Sequence, residues 1–166
     1  PNESFTYIDL GFKAACGLNL DNDVTCWGTD DMDSTMVQNT PFRAQSIDAH
    51  QYNACAITED SELRCWYEDT FGEVSNTPTT GTWAEVAVGA NMHCAIDDLG
   101  EIACWGSIAT PPQGTGFHSL SLGGLYACAL TASNGIQCWG VGSESFNSDA
   151  PTSNDFVQLS VGTDGH

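Results

Sequence analysis

Cys16, Cys26, Cys55, Cys65, Cys94, Cys104, Cys128 and Cys138 fall into four pairs, each pair ten positions apart. Zinc knuckles need two cysteines two to four residues apart, and redox sites of the thioredoxin type need C-x-x-C; neither spacing occurs. An even count at one repeated spacing reads as a disulfide framework, and so as an oxidising setting, secreted or at the cell surface. The alternative is eight reduced cysteines filling a cytosolic core. Between the members of each pair lies a turn sequence: Asp21-Asn22, Asp60-Ser61, Leu99-Gly100 and Ser133-Asn134. A hairpin with a three-residue loop, its third residue at positive φ, puts Asn22, Ser61, Gly100 and Asn134 at that position. Asn and Gly tolerate left-handed backbone. Such a loop sets each cysteine opposite its partner, with Cα atoms about 4.5–5.5 Å apart and within disulfide reach. The predicted bonds are Cys16–Cys26, Cys55–Cys65, Cys94–Cys104 and Cys128–Cys138. Each closes a short loop, so each stabilises less than a long-range crosslink.

The cysteines also mark a repeat, with steps of 39, 39 and 34 residues between first cysteines. Eight positions ahead of them stand Ile8, Ile47, Val86 and Leu120, and six ahead stand Leu10, Ala49, Val88 and Leu122. Eleven ahead stand Phe5, Ala44, Trp83 and Phe117. The second cysteine is followed each time by tryptophan: Trp27, Trp66, Trp105 and Trp139. Alternation with period two makes these segments strands. Each unit reads as an outer strand, a turn, then a hairpin ending in Cys-Trp. In the predicted register Trp27 faces Ala15, Trp66 faces Ala54, Trp105 faces His93 and Trp139 faces Ala127. Cysteines and aliphatic residues occupy one hairpin face, small residues and tryptophan the other. Both faces are apolar, so each small sheet needs cover on both sides, with the four tryptophans buried between units. Sheets sandwiched by copies of themselves are propeller blades or solenoid rungs, and 39 residues favour blades.

The fold class expected is therefore all-β, a propeller or partial propeller of three- to four-stranded antiparallel blades with one hairpin disulfide each. The units are blade 1 at 5–43, blade 2 at 44–82, blade 3 at 83–116 and blade 4 at 117–155. Phe156, Leu159, Val161, Gly162 and His166 repeat the columns that open blades 3 and 4, so 156–166 reads as the first strand of a fifth unit. The segment then belongs to a longer protein, or the surplus strand pairs with another chain and builds a fibre.

Composition removes whole classes of function. Asp and Glu number 22 against three basic residues, for a net charge of −19. Phosphate backbones and anionic lipid surfaces both demand cations this chain lacks, so nucleic-acid partners are not expected. No apolar run approaches the roughly eighteen residues of a membrane span, so membrane insertion is not expected either.

The stretches Cys55-Ala56-Ile57-Thr58 to Leu63-Arg64-Cys65-Trp66, Cys94-Ala95-Ile96-Asp97 to Ile102-Ala103-Cys104-Trp105-Gly106, and Cys128-Ala129-Leu130-Thr131 to Ile136-Gln137-Cys138-Trp139-Gly140 resemble the repeat of the regulator of chromosome condensation family. Cysteine in both hairpin strands is similar to bacterial secreted members. The family's Gly-Gln-Leu-Gly stretch after Trp-Gly is absent. The resemblance implies a β-propeller, commonly seven-bladed, whose usual work is binding. Family members exchange nucleotide on a small GTPase, contact chromatin or inhibit β-lactamase. The charge of −19 opposes the chromatin role, and disulfides oppose the nuclear GTPase role. A protein-binding module, or a self-associating one, fits both constraints.

Catalytic and metal motifs are missing: the sequence has no H-E-x-x-H, P-loop or nucleophile elbow. Of His50, His93, His118 and His166, two (His93 and His166) stand at the position before the first cysteine of a unit and read as packing variants rather than ligands, and no carboxylate recurs as a paired column. Asp30, Asp31 and Asp33, or Asp21 and Asp23, are the candidates for a weak Ca²⁺ site; they lack the EF-hand glycine and distal glutamate and read as solvated loop. No cofactor and no enzymatic activity are expected. Asn2-Glu3-Ser4 is the single acceptor sequon, which makes Asn2 the candidate glycosylation site. The variable loops at Asp30–Asp33 and Gly142–Asn147 are the candidate binding loops.

Overall fold

The structure, a computed structural model, describes residues 4–12, 14–28, 42–107, 110–141, 143, 145 and 149–162. Asn2, Lys13, Asp30, Asp31, Asp33, His166 and most of the 142–147 loop lie outside these residues. Among the described residues, twelve strands form four three-stranded antiparallel sheets. The first blade holds β1 (Phe5–Leu10), β2 (Ala14–Asn19) and β3 (Val24–Gly28). The second holds β4 (Ala44–His50), β5 (Asn53–Thr58) and β6 (Leu63–Tyr67). The third holds β7 (Trp83–Val88), β8 (Met92–Asp97) and β9 (Ile102–Gly106). The fourth holds β10 (His118–Leu122), β11 (Tyr126–Leu130) and β12 (Ile136–Gly140). No blade has a fourth strand among the described residues.

The hairpins follow the cysteine spacing. Cys16 opposes Cys26, Cys55 opposes Cys65, Cys94 opposes Cys104 and Cys128 opposes Cys138. All four disulfides are formed, with Cα separations of 4.0–4.1 Å, shorter than ordinary opposed strands. Asn22, Ser61, Gly100 and Asn134 have φ of 64°, 61°, 78° and 60°, as the three-residue loop requires. The turned-out carbonyls do a second job. Those of Asn22, Ser61 and Gly100 accept the N–H groups of Ala44, Trp83 and Phe117, at 3.0, 3.0 and 3.1 Å, tying each loop to the next blade.

The first strand of each unit is an inner strand, which corrects the expectation of an outer one. Neighbouring sheets touch through β1, β4, β7 and β10, and these four strands line a common groove. Alternation along the strand does not tell which sheet edge faces the axis, so the sequence reading had no basis for this choice. Each inner strand also carries a bulge, between Phe5 and Tyr7, Ala44 and Ser46, Trp83 and Glu85, and His118 and Leu120. The extra residue restores the apolar face. Trp83 and Val86 lie three positions apart and would point to opposite faces of a regular strand; with the bulge both join Val88 in one cluster.

The core consists of three seams between blades. Cys16, Leu18, Val24 and Cys26 pack on Ile47, Ala49 and Trp66 of blade 2. Cys55, Ile57 and Leu63 pack on Trp83, Val86, Val88 and Trp105 of blade 3. Cys94, Ile96 and Ile102 pack on Phe117, Leu120, Leu122 and Trp139 of blade 4. In each seam the disulfide face of one blade meets the tryptophan face of the next. Ile57, Cys55 and Cys94 are at most 1 % exposed, the completeness of burial that makes such seams cohesive.

Residues 156–162 form no strand, contrary to the reading of 156–166 as one. A ladder needs a partner strand, and none pairs with this segment among the described residues. It nonetheless occupies the position of a next inner strand. The Val161 N–H donates to Ser121 Oγ at 3.0 Å, and Tyr126 Oη donates to the Gly162 carbonyl at 2.7 Å.

Candidate functional site

The inner strands enclose a groove of about 680 Å³ whose wall carries Asp9, Asp48 and Glu85. Each of these carboxylates is engaged by the backbone of the blade that follows. Asp9 Oδ2 accepts the Ala49 N–H at 2.7 Å, and Asp48 Oδ2 accepts the Val88 N–H at 2.5 Å. Asp9 and Asp48 occupy the same repeat position, seven ahead of the first cysteine. Blade 3 has Ala87 there, and Glu85 takes over, accepting the N–H groups of Leu120 and Ser119 at 2.6 and 3.0 Å across the bulge of β10. Ser121 completes the series on Val161. The expectation that no carboxylate recurs as a column is thereby corrected. Its signal was an acidic residue inside an otherwise apolar strand, alternating with Ile8 and Leu10 or with Ile47 and Ala49.

Burial and the neighbouring Asp9 carboxyl push the Asp48 carboxyl up to about 8, against the pull of the Val88 N–H. Burial likewise lowers His50, partly offset by Asp9, and lowers His93 to about 4. His93 is fully buried opposite Trp105, with neither ring nitrogen hydrogen-bonded. Its packing role matches the sequence reading, and His50 closes β4. His118 is exposed at the start of β10.

Both rims of the blades expose apolar side chains, but only the hairpin tips surround them with acids. The tips carry Leu20 and Leu99, at 74 and 69 % exposure, among the exposed Asp21, Glu59, Asp60, Asp98 and Glu101. The opposite rim, where inner strands turn into hairpins and where the third strands end, carries Phe12 at 72 %, Val141 at 70 % and Leu125 at 44 % exposure. Phe12 meets Tyr52 edge-on at 5.9 Å. Tyr67 also lies on this rim with φ of 89°, at the position held by Gly106 and Gly140, whose φ values are 90° and 101°. Left-handed backbone at a tyrosine costs on the order of 1 kcal/mol or more. Its ring packs against the first seam and edge-on to Trp66.

Of the four repeat tryptophans, Trp66, Trp105 and Trp139 are buried at 3, 7 and 7 % exposure. Trp27 is 42 % exposed, which corrects its expected burial. Ile8 and Leu10 beside it are exposed as well, because no blade precedes the first among the described residues. The connection from blade 2 to blade 3 folds into turns held by Asp69, whose Oδ1 accepts the N–H groups of Val74 and Ser75 at 2.8 and 2.9 Å. There the Glu73 carbonyl accepts the Trp105 indole N–H at 2.8 Å. No group of three or more metal-ligating side chains gathers among the described residues.

No protein-family model matches the chain, and no curated protein matches it. Solved structures do. The CRINKLY WD40 ectodomain of the Arabidopsis thaliana receptor kinase ACR4 is similar over 97 % of this chain and 57 % of its own, at 23 % identity and TM-score 0.76. The entire ectodomain of the Physcomitrella patens receptor kinase CR4 is similar over 97 % of this chain and 45 % of its own, at 22 % identity and TM-score 0.80. Yeast RCC1 (Prp20), solved with Kap60 bound, is similar over 96 % of this chain and 48 % of its own, at 14 % identity and TM-score 0.69. The chain thus spans about half the length of the structures it resembles. At these identities the likeness speaks for the fold, and that fold is a β-propeller like that of the regulator of chromosome condensation, present here as four consecutive disulfide-stapled blades.

Proposed function

We propose that the chain is a non-enzymatic protein-interaction module working outside the cell. The observation that carries this reading is the division of labour between groove and rim. The groove carboxylates Asp9, Asp48 and Glu85 are spent on joining blades, while Phe12, Leu125 and Val141 stand exposed on turns of a rigid, crosslinked frame. Exposed apolar side chains on a firm scaffold are the usual anchors of a protein contact. Four disulfides and the similarity to receptor ectodomains support an extracellular setting, secreted or cell-surface. The similar yeast protein was solved bound to Kap60, which supports a protein as partner. The reading needs no cofactor. A double variant, Phe12→Ser with Val141→Ser, should keep the wild-type melting temperature and lose the protein that the wild type captures from extracellular medium. Equal capture by both would refute the reading.

A second reading, self-association into an extracellular fibre, is favoured by the open face of blade 1, where Ile8, Leu10 and Trp27 lie exposed together. Concentration-dependent sedimentation abolished by Leu10→Glu would support it, and a monomer at high concentration would eliminate it.

A further inference from the structure

We propose that the outer edge of blade 2 is a docking groove that takes an extended segment of a partner protein as a fourth strand. A groove of about 320 Å³ runs between β6 and the stretch 74–79. Leu63, Arg64, Cys65 and Trp66, four consecutive residues of β6, all line it. Successive residues of a strand point to opposite faces, so only a groove along the strand's edge touches all four. That edge presents unpaired backbone. Cys55 and Cys65 lie directly opposed with Cα atoms 4.1 Å apart, the close approach of a pair that exchanges no backbone hydrogen bonds. The N–H and C=O groups of Cys65, and of Leu63 two places before it, therefore turn away from β5 toward the groove. Neither residue hydrogen-bonds outside the hairpin among the described residues.

Blade 1 shows such an edge closed. Val24, at the column of Leu63, donates its N–H to the Phe42 carbonyl at 3.2 Å, and Asp23 bridges Arg43. At the matching place in blade 2 the chain stands off, and Leu63 and Gly81 line a hollow of about 190 Å³. The far wall of the main groove is held in place. Asp69 accepts the N–H groups of Val74 and Ser75, and the Glu73 carbonyl ties the stretch to Trp105 of blade 3. An open edge beside a fixed wall is the setting in which a peptide adds a strand, with backbone bonds supplying affinity and alternate side chains supplying choice.

The side chains select the occupant. Glu62 and Arg64 are exposed and alternate to one face of the edge. Arg64 stands over the Phe42 ring, 5.0 Å from its centroid, and pairs with no carboxylate among the described residues, whereas Arg43 pairs with Asp23 at 3.5 Å. Thr25, Ala103 and Gln137 hold the Arg64 column in the other blades, so the charge marks this edge alone. Residues directly opposite across a ladder meet on the same face. The segment that fits carries an acidic residue opposite Arg64 and a basic one opposite Glu62, with aliphatic residues opposite Leu63 and Cys65. An all-acidic segment is repelled by Glu62 and by the net charge of −19. The groove lies apart from the rim of Phe12, Leu125 and Val141, so neither reading depends on the other.

The test is NMR titration of the whole chain with the blocked peptide acetyl-Thr-Val-Glu-Val-Lys-amide, following backbone amide shifts. In antiparallel pairing its glutamate falls opposite Arg64, its lysine opposite Glu62 and its valines opposite Cys65 and Leu63. Saturable shifts are expected at the Leu63 and Cys65 amides, and methylation of both valine nitrogens should abolish them. Replacing the peptide's glutamate by lysine should weaken binding roughly fivefold, and Arg64→Glu should reverse that preference. Arg64 is exposed, so the variant keeps the fold. The absence of a saturable shift at these amides with millimolar peptide would overturn the proposal. Shifts that survive N-methylation, or equal affinity of both peptides for both proteins, would do the same. Shifts confined to the rim around Phe12 would overturn the groove and leave the rim reading standing. Concentration-dependent shifts at Leu63 and Cys65 without peptide would also overturn it, by assigning the edge to a second copy of the chain.

Discussion

Trp27 and Trp105 occupy the same repeat position, follow a disulfide-bonded cysteine, and sit opposite a residue one place before the first cysteine. Yet Trp105 is 7 % exposed and Trp27 is 42 % exposed. The difference lies outside their own sheets. Trp105 lies against Cys55, Ile57 and Leu63 of the preceding blade, and its indole N–H is satisfied by Glu73 in the connection between the two. Trp27 meets Phe5 of its own blade, at 5.2 Å between ring centroids, and no blade precedes it among the described residues. A three-stranded sheet of this kind does not bury its tryptophan; the neighbour does. Stability therefore resides in the seams, as expected for an array in which each unit contacts only its neighbours.

The largest expected effect separates the two residues by mutation. Trp105→Ala should cost about 3–5 kcal/mol, the range for removing a buried tryptophan, and it strands the Glu73 carbonyl. Trp27→Ala should cost about 1 kcal/mol, since much of its ring already faces water. Urea denaturation with the disulfides intact measures both. Equal losses would mean that blade 1 is covered by a contact these residues do not show.

A smaller effect distinguishes what the two tryptophans face. Trp27, Trp66 and Trp139 face alanines, whereas Trp105 faces His93. Burial lowers His93 to about 4, so the folded protein keeps it neutral while the unfolded chain protonates it near 6.5. A base with a depressed folded value stabilises the fold above the unfolded value, and that contribution is lost as pH falls from about 6.5 through 4. His93→Ala should therefore gain on the wild type steadily as pH drops across this range. Taking the difference between the two proteins removes the opposing slope of Asp48, which both retain. A constant difference across the range would show that His93 is not buried as described.

Much of this was legible in advance because it is written in local spacing. A ten-residue interval with a turn at its centre determines a hairpin, its register and its disulfide, and Asn22, Ser61, Gly100 and Asn134 all adopt the positive φ required of them. The apolar columns at Ile47, Ala49 and Trp66 likewise announce a sheet covered on both faces. What stayed hidden depends on relations between units. Nothing in the alternation of Phe5 to Leu10 tells which sheet edge faces the axis. The bulge was readable in principle, since Trp83 and Val86 are spaced by three in a pattern of two. The carboxylates of Asp9 and Asp48 looked like ordinary acidic scatter in a chain of charge −19 until the next blade's N–H groups were set against them. A rim such as that of Phe12, Leu125 and Val141 assembles residues from distant units and has no signature in any one of them.

The most direct test of the central claim, that each tryptophan is buried by the blade before it, is hydroxyl-radical footprinting of the 166-residue chain with oxidation read at each tryptophan. Trp27 should oxidise several-fold faster than Trp66, Trp105 and Trp139, with those three protected alike. Protection of Trp27 equal to the others, or rapid oxidation of any internal member of the column, would contradict the account.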